Sequence, residues 1–197
     1  MGRNGIGALV AIAALAACLA GCSQEGKLVV ENAGASEFQG TVENTHVTLD
    51  PGASYRTSIY IGKSLAIIGP TNIKVAINGS SETKRAFSDQ AEVKGDETTT
   101  YRIIDDVGAV NLANAYSLAI NEISYKLCSE TSFSVSLLGT HKSLSPGSSV
   151  AIQLDAGCWD ILVNYGREEL LDTITAIPID VGHVINIHWV PGYVYTP

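Results

Sequence analysis

The chain contains residue types that could carry catalysis, but it does not arrange them as a catalyst requires. A nucleophilic enzyme needs a serine or cysteine beside a base and an orienting acid. No Gly-x-Ser-x-Gly motif is present, and no catalytic motif surrounds the four histidines, which are His46, His141, His183 and His188. His183 and His188 are five residues apart, so on a regular strand their side chains point to opposite faces. We therefore expect a protein that is not an enzyme and that holds no metal or cofactor.

Acidic and glycine-containing motifs are equally uninformative about a ligand. The pairs Asp96-Glu97, Asp105-Asp106 and Glu168-Glu169 lack the alternating Asp/Asn pattern of a calcium loop, so we interpret them as solvated turns. No Gly-x-Gly-x-x-Gly or Gly-Lys-Ser/Thr motif is available to bind a phosphate. The formal net charge of −8 argues against nucleic acid as a partner, because such binding requires basic clusters.

The N-terminus has the layout of an export signal. Arg3 precedes an apolar run over residues 6–20, and the run ends in small residues. This run is shorter than the roughly 20 apolar residues that a membrane-spanning helix needs. We therefore predict that residues 1–21 form a signal peptide.

The end of this run, Leu19-Ala20-Gly21-Cys22, resembles the lipobox of bacterial lipoproteins. The resemblance implies that signal peptidase II cleaves before Cys22 and that Cys22 carries lipid. The alternative is an ordinary signal peptide that a cysteine happens to follow. Ser23 resembles the outer-membrane sorting pattern of some bacteria, which favours the outer membrane or cell surface over the inner membrane.

The composition of the mature chain constrains how it would be held at a membrane. Cleavage removes Arg3 and no acidic residue, which leaves 11 basic and 20 acidic residues and a formal charge of −9. An acidic chain is not attracted to anionic lipid. Several acyl chains are then needed, because one chain binds only marginally.

Two further cysteines, Cys128 and Cys158, remain in the mature chain. Paired thiols in an exported protein are candidates for a disulfide, and two buried free thiols are the alternative. We predict a disulfide that closes a loop of about 30 residues, which would contribute about 3–4 kcal/mol to stability.

Short runs rich in Val, Ile, Thr, Tyr and Phe alternate with Gly, Pro, Asn, Asp and Ser clusters along the mature chain, as expected of strands and turns. We predict strands at 27–31, 45–49, 55–61, 73–77, 87–93, 98–104, 118–127, 133–137, 150–154, 159–163, 170–177 and 184–190. The alternation in 133–137, with Phe133, Val135 and Leu137 separated by serines, is typical of a strand with one buried face. The pattern predicts an all-β protein.

The predicted strands form two similar sets. Pro51-Gly52 matches Pro146-Gly147 at an offset of 95, and glycines further along the chain match at an offset of 87. The change in offset predicts eight extra residues in the first copy, within residues 63–72. In the final strand, however, Ile185, Ile187 and Trp189 align with polar residues of the first copy, which indicates that the copies are out of phase there by one residue.

Each copy holds enough short strands for a small antiparallel β-sandwich and resembles modules of the immunoglobulin or transthyretin type. We therefore predict two tandem sandwich domains after the signal peptide. The expected segments are a signal peptide at 1–21, a tether at 22–26, domain 1 at 27–104, a linker at 105–108, domain 2 at 109–190 and an aromatic tail at 191–197.

These features favour a non-catalytic protein-interaction or scaffolding module in the bacterial cell envelope, with the membrane and another envelope protein as partners. The alternative is a carbohydrate-binding lipoprotein, with Trp189, Tyr193 and Tyr195 stacking on a glycan. For the aromatic tail itself, a cap on the core of the second domain is the favoured interpretation, and docking on a sheet edge is a further alternative. A second tryptophan, Trp159, is expected to pack into the core with its strand neighbours. The longer first-copy loop at 63–72 is a further candidate for binding.

Overall fold

A computed structural model describes residues 22–64, 72–139, 142–166 and 170–197. Four features of the sequence lie outside the described residues: the predicted signal peptide at 1–21, most of the extra loop at 63–72, His141 and the Glu168-Glu169 pair.

The described part of the chain is built from thirteen strands and contains no helix, so the prediction of an all-β fold is confirmed. The strands are β1 (Cys22–Asn32), β2 (Phe38–Val42), β3 (Thr45–Leu49), β4 (Ser54–Ser64), β5 (Asn72–Ser80), β6 (Phe87–Lys94), β7 (Thr98–Ile103), β8 (Gly108–Asn114), β9 (Ile120–Leu127), β10 (Ser149–Leu154), β11 (Gly157–Tyr165), β12 (Leu170–Ile179) and β13 (Val184–Trp189). Within the described ranges, no helix has the length and apolar character needed to cross a membrane.

The chain divides into two compact units, each with two sheets. The first unit comprises Met1–Ala33, Gln39–Gly79 and Phe87–Ile103, and the second comprises Gly34–Phe38, Ser80–Ala86 and Ile104–Pro197. In strand order, the sheets of the first set are β4-β1-β7 and β3-β2-β5-β6, and those of the second set are β10-β8-β13 and β12-β11-β9. The two-sandwich prediction therefore holds, with one addition: β1 pairs with β7, and β8 with β13, in parallel.

Each core lies between the two sheets of its unit. In the second unit, fully buried side chains come from both sheets, with Val110, Leu112, Ile152, Ile187 and Trp189 on one and Ile120, Ile123, Ile161, Val163 and Ile174 on the other. Alternating burial along these strands follows from the two-residue period of a strand.

The two units repeat each other in their hydrogen bonds. Asn32 and Asn114, at the ends of β1 and β8, are both buried. Each donates a side-chain N–H to a leucine carbonyl, at 2.8 and 3.0 Å, and each accepts a glycine N–H at 2.8 Å. The partners are Leu49 and Gly52 for Asn32, and Leu144 and Gly147 for Asn114. Asn32 and Asn114 are 82 residues apart. Their leucine partners are 95 residues apart, as are their glycine partners, and 95 is the offset predicted from the two Pro-Gly pairs.

The final strands correspond at an offset of 86, so the predicted offset of 87 is wrong by one residue. Asp96 and Gly182 occupy the same turn position, with φ of 59° and 81°. Asp96 donates its N–H to the Glu25 carbonyl in β1, and Gly182 donates its N–H to the Val107 carbonyl directly before β8, each at 3.0 Å. Aspartate tolerates the left-handed region better than most residues, so it can stand where the second copy has glycine. Matching glycine to glycine therefore shifts the register.

With the offset of 86, the inward-facing residues of the final strand no longer align with exposed polar residues of the first copy. Ile103 and Trp189 are equivalent, because each carbonyl accepts an N–H from the residue after the buried asparagine, at 2.9 and 3.0 Å. Ile185 and Ile187 then match Thr99 and Tyr101, which are half-buried, whereas their neighbours in β7 are exposed.

A close backbone approach in both units requires glycine. A methyl group on Gly26 or Gly108 would lie 2.4 Å from the carbonyl oxygen of Lys94 or Asp180, respectively. Real side chains do not approach backbone atoms so closely. The 82-residue spacing of the two glycines matches that of the two buried asparagines, so the repeat runs along the whole of β8 and along β1 from Gly26 onward.

The structure differs from the sequence-based expectation in three segments. Residues 22–26, predicted as a tether, form the first part of β1 and pair with β4. Residues 133–137, predicted as a strand, form none, and Val135 is 92% exposed. In the segment predicted as a linker, Gly108 is already the first residue of β8.

The Asp105-Asp106 pair is hydrogen-bonded within the second unit, with Asp105 half-buried and Asp106 exposed. Asp105 accepts the Thr83 hydroxyl at 2.5 Å and the Ala35 N–H at 2.9 Å, while Asp106 pairs with Lys84 at 3.0 Å. Thr83 is fully buried. These carboxylates therefore hold the Gly34–Phe38 and Ser80–Ala86 segments within the unit.

Candidate binding site at a disulfide-bonded loop

The largest difference between the two copies lies between β9 and β10. In the second copy, Leu144 lies 24 positions after Ile120, the first residue of β9. In the first copy, Leu49, the equivalent of Leu144, lies 11 positions after Phe38, the first residue of β2. The second copy thus carries 13 additional residues here. We call residues 128–139, the described stretch that follows β9, the disulfide loop.

The disulfide loop is covalently fixed at its start. Cys128 and Cys158 form a disulfide with 5.4 Å between their Cα atoms, which confirms the predicted bond. The Cys128 N–H also donates to the Cys158 carbonyl at 2.9 Å. The bond joins the end of β9 to the start of β11, so the loop is held at the edge of the second unit's core.

Hydrogen bonds fix the rest of the disulfide loop against β9. Ser134 and Tyr125 bond reciprocally, with the Ser134 N–H donating to the Tyr125 carbonyl at 2.8 Å and the Tyr125 N–H donating to the Ser134 hydroxyl at 3.1 Å. Glu130 accepts the Leu127 N–H on its carboxylate at 3.1 Å. Backbone and side-chain hydrogen bonds therefore connect the loop to β9 at these positions.

An open groove of about 570 Å³ lies along the disulfide loop. Its aromatic members are Tyr125, Phe133 and Trp159, all half-buried. Tyr125 and Trp159 meet edge to face, with ring centroids 5.8 Å apart. The remaining lining residues are hydroxyl-bearing or acidic, namely Ser129, Glu130, Thr131, Ser132 and Ser134. Such a surface combines apolar ring faces with hydrogen-bonding groups.

The neighbouring cation is already engaged by groups within the unit. Lys126 Nζ pairs with Asp160 at 2.8 Å, donates to the Glu130 carbonyl at 2.9 Å and lies 5.4 Å from the centre of the Phe133 ring. These contacts hold Phe133 over the strand through a cation–π interaction. A ligand in the groove would therefore meet aromatic rings, hydroxyls and the Glu130 carboxylate.

Asp160 ties three strands together. Partial burial raises its pKa, but the hydrogen bond and attraction from Lys126 and the hydrogen bond from the Ala176 N–H outweigh burial, so the pKa lies below its ordinary value of 3.8. At pH values above its ordinary pKa, the ionised Asp160 carboxylate stabilises the fold. This contribution is lost as the pH falls through the lowered pKa. Ala176 has a φ of 57° within an irregular part of β12, which Asp160 thereby holds in place.

The aromatic residues predicted to bind a glycan mostly belong to the core. Trp189 is fully buried and meets Tyr116 and Tyr165 edge to face. Its indole N–H donates to Asp172 at 3.1 Å. Tyr193 and Tyr195 are half-buried against the same core. Trp189 is therefore unavailable to a ligand, because its ring surface is already covered.

The described histidines, to which no site was assigned from the sequence, are dispersed. His46, His183 and His188 are exposed on separate strands and turns, and His183 lies 3.6 Å from Asp180. Across the described ranges, no group of three or more His, Cys, Asp or Glu side chains is placed to hold a metal ion. The side chain of Cys22 is outside the described part of the structure.

Sequence reasoning missed the groove, although it named two of its parts. Trp159 was expected in the core, and it does pack partly against the core while also lining the groove. Phe133 was assigned to a strand. The segment between β9 and β10 is 13 residues longer than its counterpart in the first copy, and this extra length is the signal that could have indicated a binding loop. It follows from comparing the offset of 82 before the segment with the offset of 95 after it.

Comparisons with known proteins identify no family. No protein-family model matches the chain, and no curated protein matches it. Among solved structures, the Bacillus anthracis TIE protein is similar with 11% sequence identity and a TM-score of 0.29. That similarity covers 84% of this chain and 34% of the other, so this chain spans about a third of the length of that protein. A similarity at this level carries no information about function.

Proposed function

We propose that the protein is an exported bacterial lipoprotein, anchored through lipid on Cys22 to the outer membrane or cell surface. Its two β-sandwich domains act as a non-catalytic protein-interaction or scaffolding module for another protein of the cell envelope. The lipobox-like Leu19-Ala20-Gly21-Cys22 supports the anchor. The disulfide loop supports the binding role.

One observation carries the binding proposal. The second copy has added a loop to a shared framework, fixed it with a disulfide and lined its groove with three half-buried aromatic rings. Binding residues concentrate on loops that a rigid scaffold positions. Aromatic side chains also dominate the energetics of protein interfaces. The partner surface we expect offers an apolar side chain to the rings and hydrogen-bond donors to Glu130 and its neighbouring hydroxyls.

The anchor is tested by replacing the cysteine. In cells, the Cys22→Ser variant should retain its signal peptide or leave the membrane fraction, and it should lose labelling by a radioactive fatty acid. Both readouts follow because the thiol is the attachment point for lipid. Normal cleavage of the variant together with retention in the membrane pellet would contradict the anchor.

The groove is tested by a pull-down from detergent-solubilised envelope with two variants of the disulfide loop. Phe133→Ser removes a ring that lines the groove, whereas Val135→Ser changes a 92% exposed side chain outside it. We expect Phe133→Ser to lower retention of the protein partner by about tenfold or more, as for an interface hot spot. Val135→Ser should retain it like wild type. Equal retention by all three proteins would exclude the groove as the binding surface.

A second candidate function is carbohydrate binding at the same groove. It is favoured by the combination of ring faces with the hydroxyls of Thr131 and Ser132, since sugars pack on aromatic rings and bond through hydroxyls. The buried Trp189 no longer supports a glycan site at the tail. A glycan array with wild-type protein and Phe133→Ser separates the two candidates. A glycan signal that the variant loses, with no protein retained in the pull-down, would favour this candidate.

A further inference from the structure

The first strand leaves no free chain after the proposed lipid attachment point. The backbone of β1 pairs with β4 from its first residue, with Cys22 opposite Ser64 and Gln24 opposite Gly62. Four unpaired residues could have spanned about 13 Å as a flexible connection. Residues 23–26 are instead part of a sheet, so the anchored residue is continuous with the folded unit.

The turn between β6 and β7 lies beside the same part of β1. The Asp96 N–H donates to the Glu25 carbonyl at 3.0 Å, and the Lys27 N–H donates to the Glu97 carbonyl at 2.9 Å. Glu25 is three residues from Cys22, which corresponds to about 10 Å along a strand. This end of the first unit, which we call the anchor-side end, comprises residues 22–26, 62–64 and 94–97.

The opposite end of the first unit is far from the anchor. The Gly52 N–H donates to the carbonyl of Asn32, the last residue of β1, at 2.8 Å. Asn32 is ten residues beyond Cys22, or about 33 Å along the strand. The two ends therefore differ in distance from the lipid by about 20 Å or more.

We propose that the anchor-side end of the first unit lies against the lipid headgroups, so that the unit is held at the bilayer surface without a tether. This inference rests on the proposed lipid attachment at Cys22. The described exposed charges of this end are Glu25, Lys94, Asp96 and Glu97, which together are acidic. Anionic lipid would repel them, so the acyl chains and the paired strand hold this surface at the membrane.

The test uses the lipidated full-length mature protein in phosphatidylcholine vesicles that contain a spin-labelled headgroup as quencher. A fluorophore is attached at Glu97→Cys, on the anchor-side end, or at Asp50→Cys, on the exposed turn beside Gly52. We expect several-fold stronger quenching at position 97 than at position 50. Equal, weak quenching at both positions would overturn the inference.

A second variant separates a failed inference from a failed anchor. Insertion of eight Gly and Ser residues between Ser23 and Gln24 creates a flexible tether, which should lower quenching at position 97 to the level seen at position 50. Unchanged quenching after insertion would also count against the inference. If the lipidated protein without the insertion does not float with vesicles at all, the lipid anchor itself is wrong.

Discussion

Replacing Trp189 with alanine is expected to lower the free energy of unfolding of the second unit by about 3–5 kcal/mol. The side chain is fully buried, and its ring centroid lies 4.9 Å from that of Tyr165 and 6.3 Å from that of Tyr116. Truncation opens a cavity in the middle of this aromatic cluster. It also removes the donor to Asp172, whose carboxylate additionally accepts the Gly192 N–H at 2.9 Å.

Urea denaturation followed by tryptophan fluorescence measures this effect directly. The chain has two tryptophans, Trp159 and Trp189, and both lie in the second unit. Trp159 therefore reports unfolding of this unit in the variant. The matched control is Tyr195→Ala, which truncates a half-buried ring on the same core and should cost clearly less. A Trp189→Ala protein as stable as wild type would mean that Trp189 is not a core residue.

The role of Trp189 also illustrates which parts of the fold the sequence could predict. Its alternation with Ile185 and Ile187 predicted a strand with one buried face, and the structure places that face on the core. An aromatic tail of similar composition, with Tyr193 and Tyr195, fitted both a cap on the core and a ligand platform, and the structure packs both tyrosines against the core. Composition does not distinguish a ring that covers a core from one that faces solvent, because burial depends on the neighbouring strands.

The repeat was recognisable from glycines, but its register was not. One residue in the turn before the last strand has a positive φ in each copy, and this residue is Gly182 in the second copy but Asp96 in the first. A search for matching glycines therefore selects Gly95 and shifts the strand by one residue. The hydrogen bonds of the turn, and not the residue type, define equivalence.

The disulfide loop shows where alternation misleads. Phe133, Val135 and Leu137 alternate like a strand, and the segment does run beside β9. Yet the N–H groups that reach β9 belong to Ser134 and Leu137, three residues apart, and donate to Tyr125 and Ile123, two residues apart. This unequal spacing does not fit the regular ladder of a sheet. Val135 consequently faces solvent.

The disulfide was predictable from the sequence because few cysteines follow the predicted signal peptide, whereas the groove was not predictable. Its three rings come from β9, from the disulfide loop and from β11. Their convergence depends on the pairing of β9 with β11, which brings Trp159 opposite Leu127 and Ile161 opposite Tyr125. Such a register is a property of the folded sheet. The bond between Cys128 and Cys158 thus becomes the experimental handle on the site.

Removal of the disulfide, by the double substitution Cys128→Ser and Cys158→Ser, is expected to lower the free energy of unfolding by about 3–4 kcal/mol. The bond closes a loop of 30 residues, and cutting it returns that loop entropy to the unfolded chain. The groove should suffer as well, because its lining residues 129–134 begin immediately after Cys128.

Two measurements on the same protein test this expectation: denaturation in urea and retention of the proposed envelope partner. Wild type treated with a reductant should reproduce the double variant, whereas Glu97→Cys adds a thiol on the first unit and should leave both quantities unchanged. The Lys126–Asp160 ion pair and the Ser134–Tyr125 hydrogen bonds still connect the loop and its strands when the bond is absent. If these contacts suffice, the variant will lose stability but keep binding. Such a result would confine the disulfide to stabilising the fold and would assign the shape of the groove to the polar contacts.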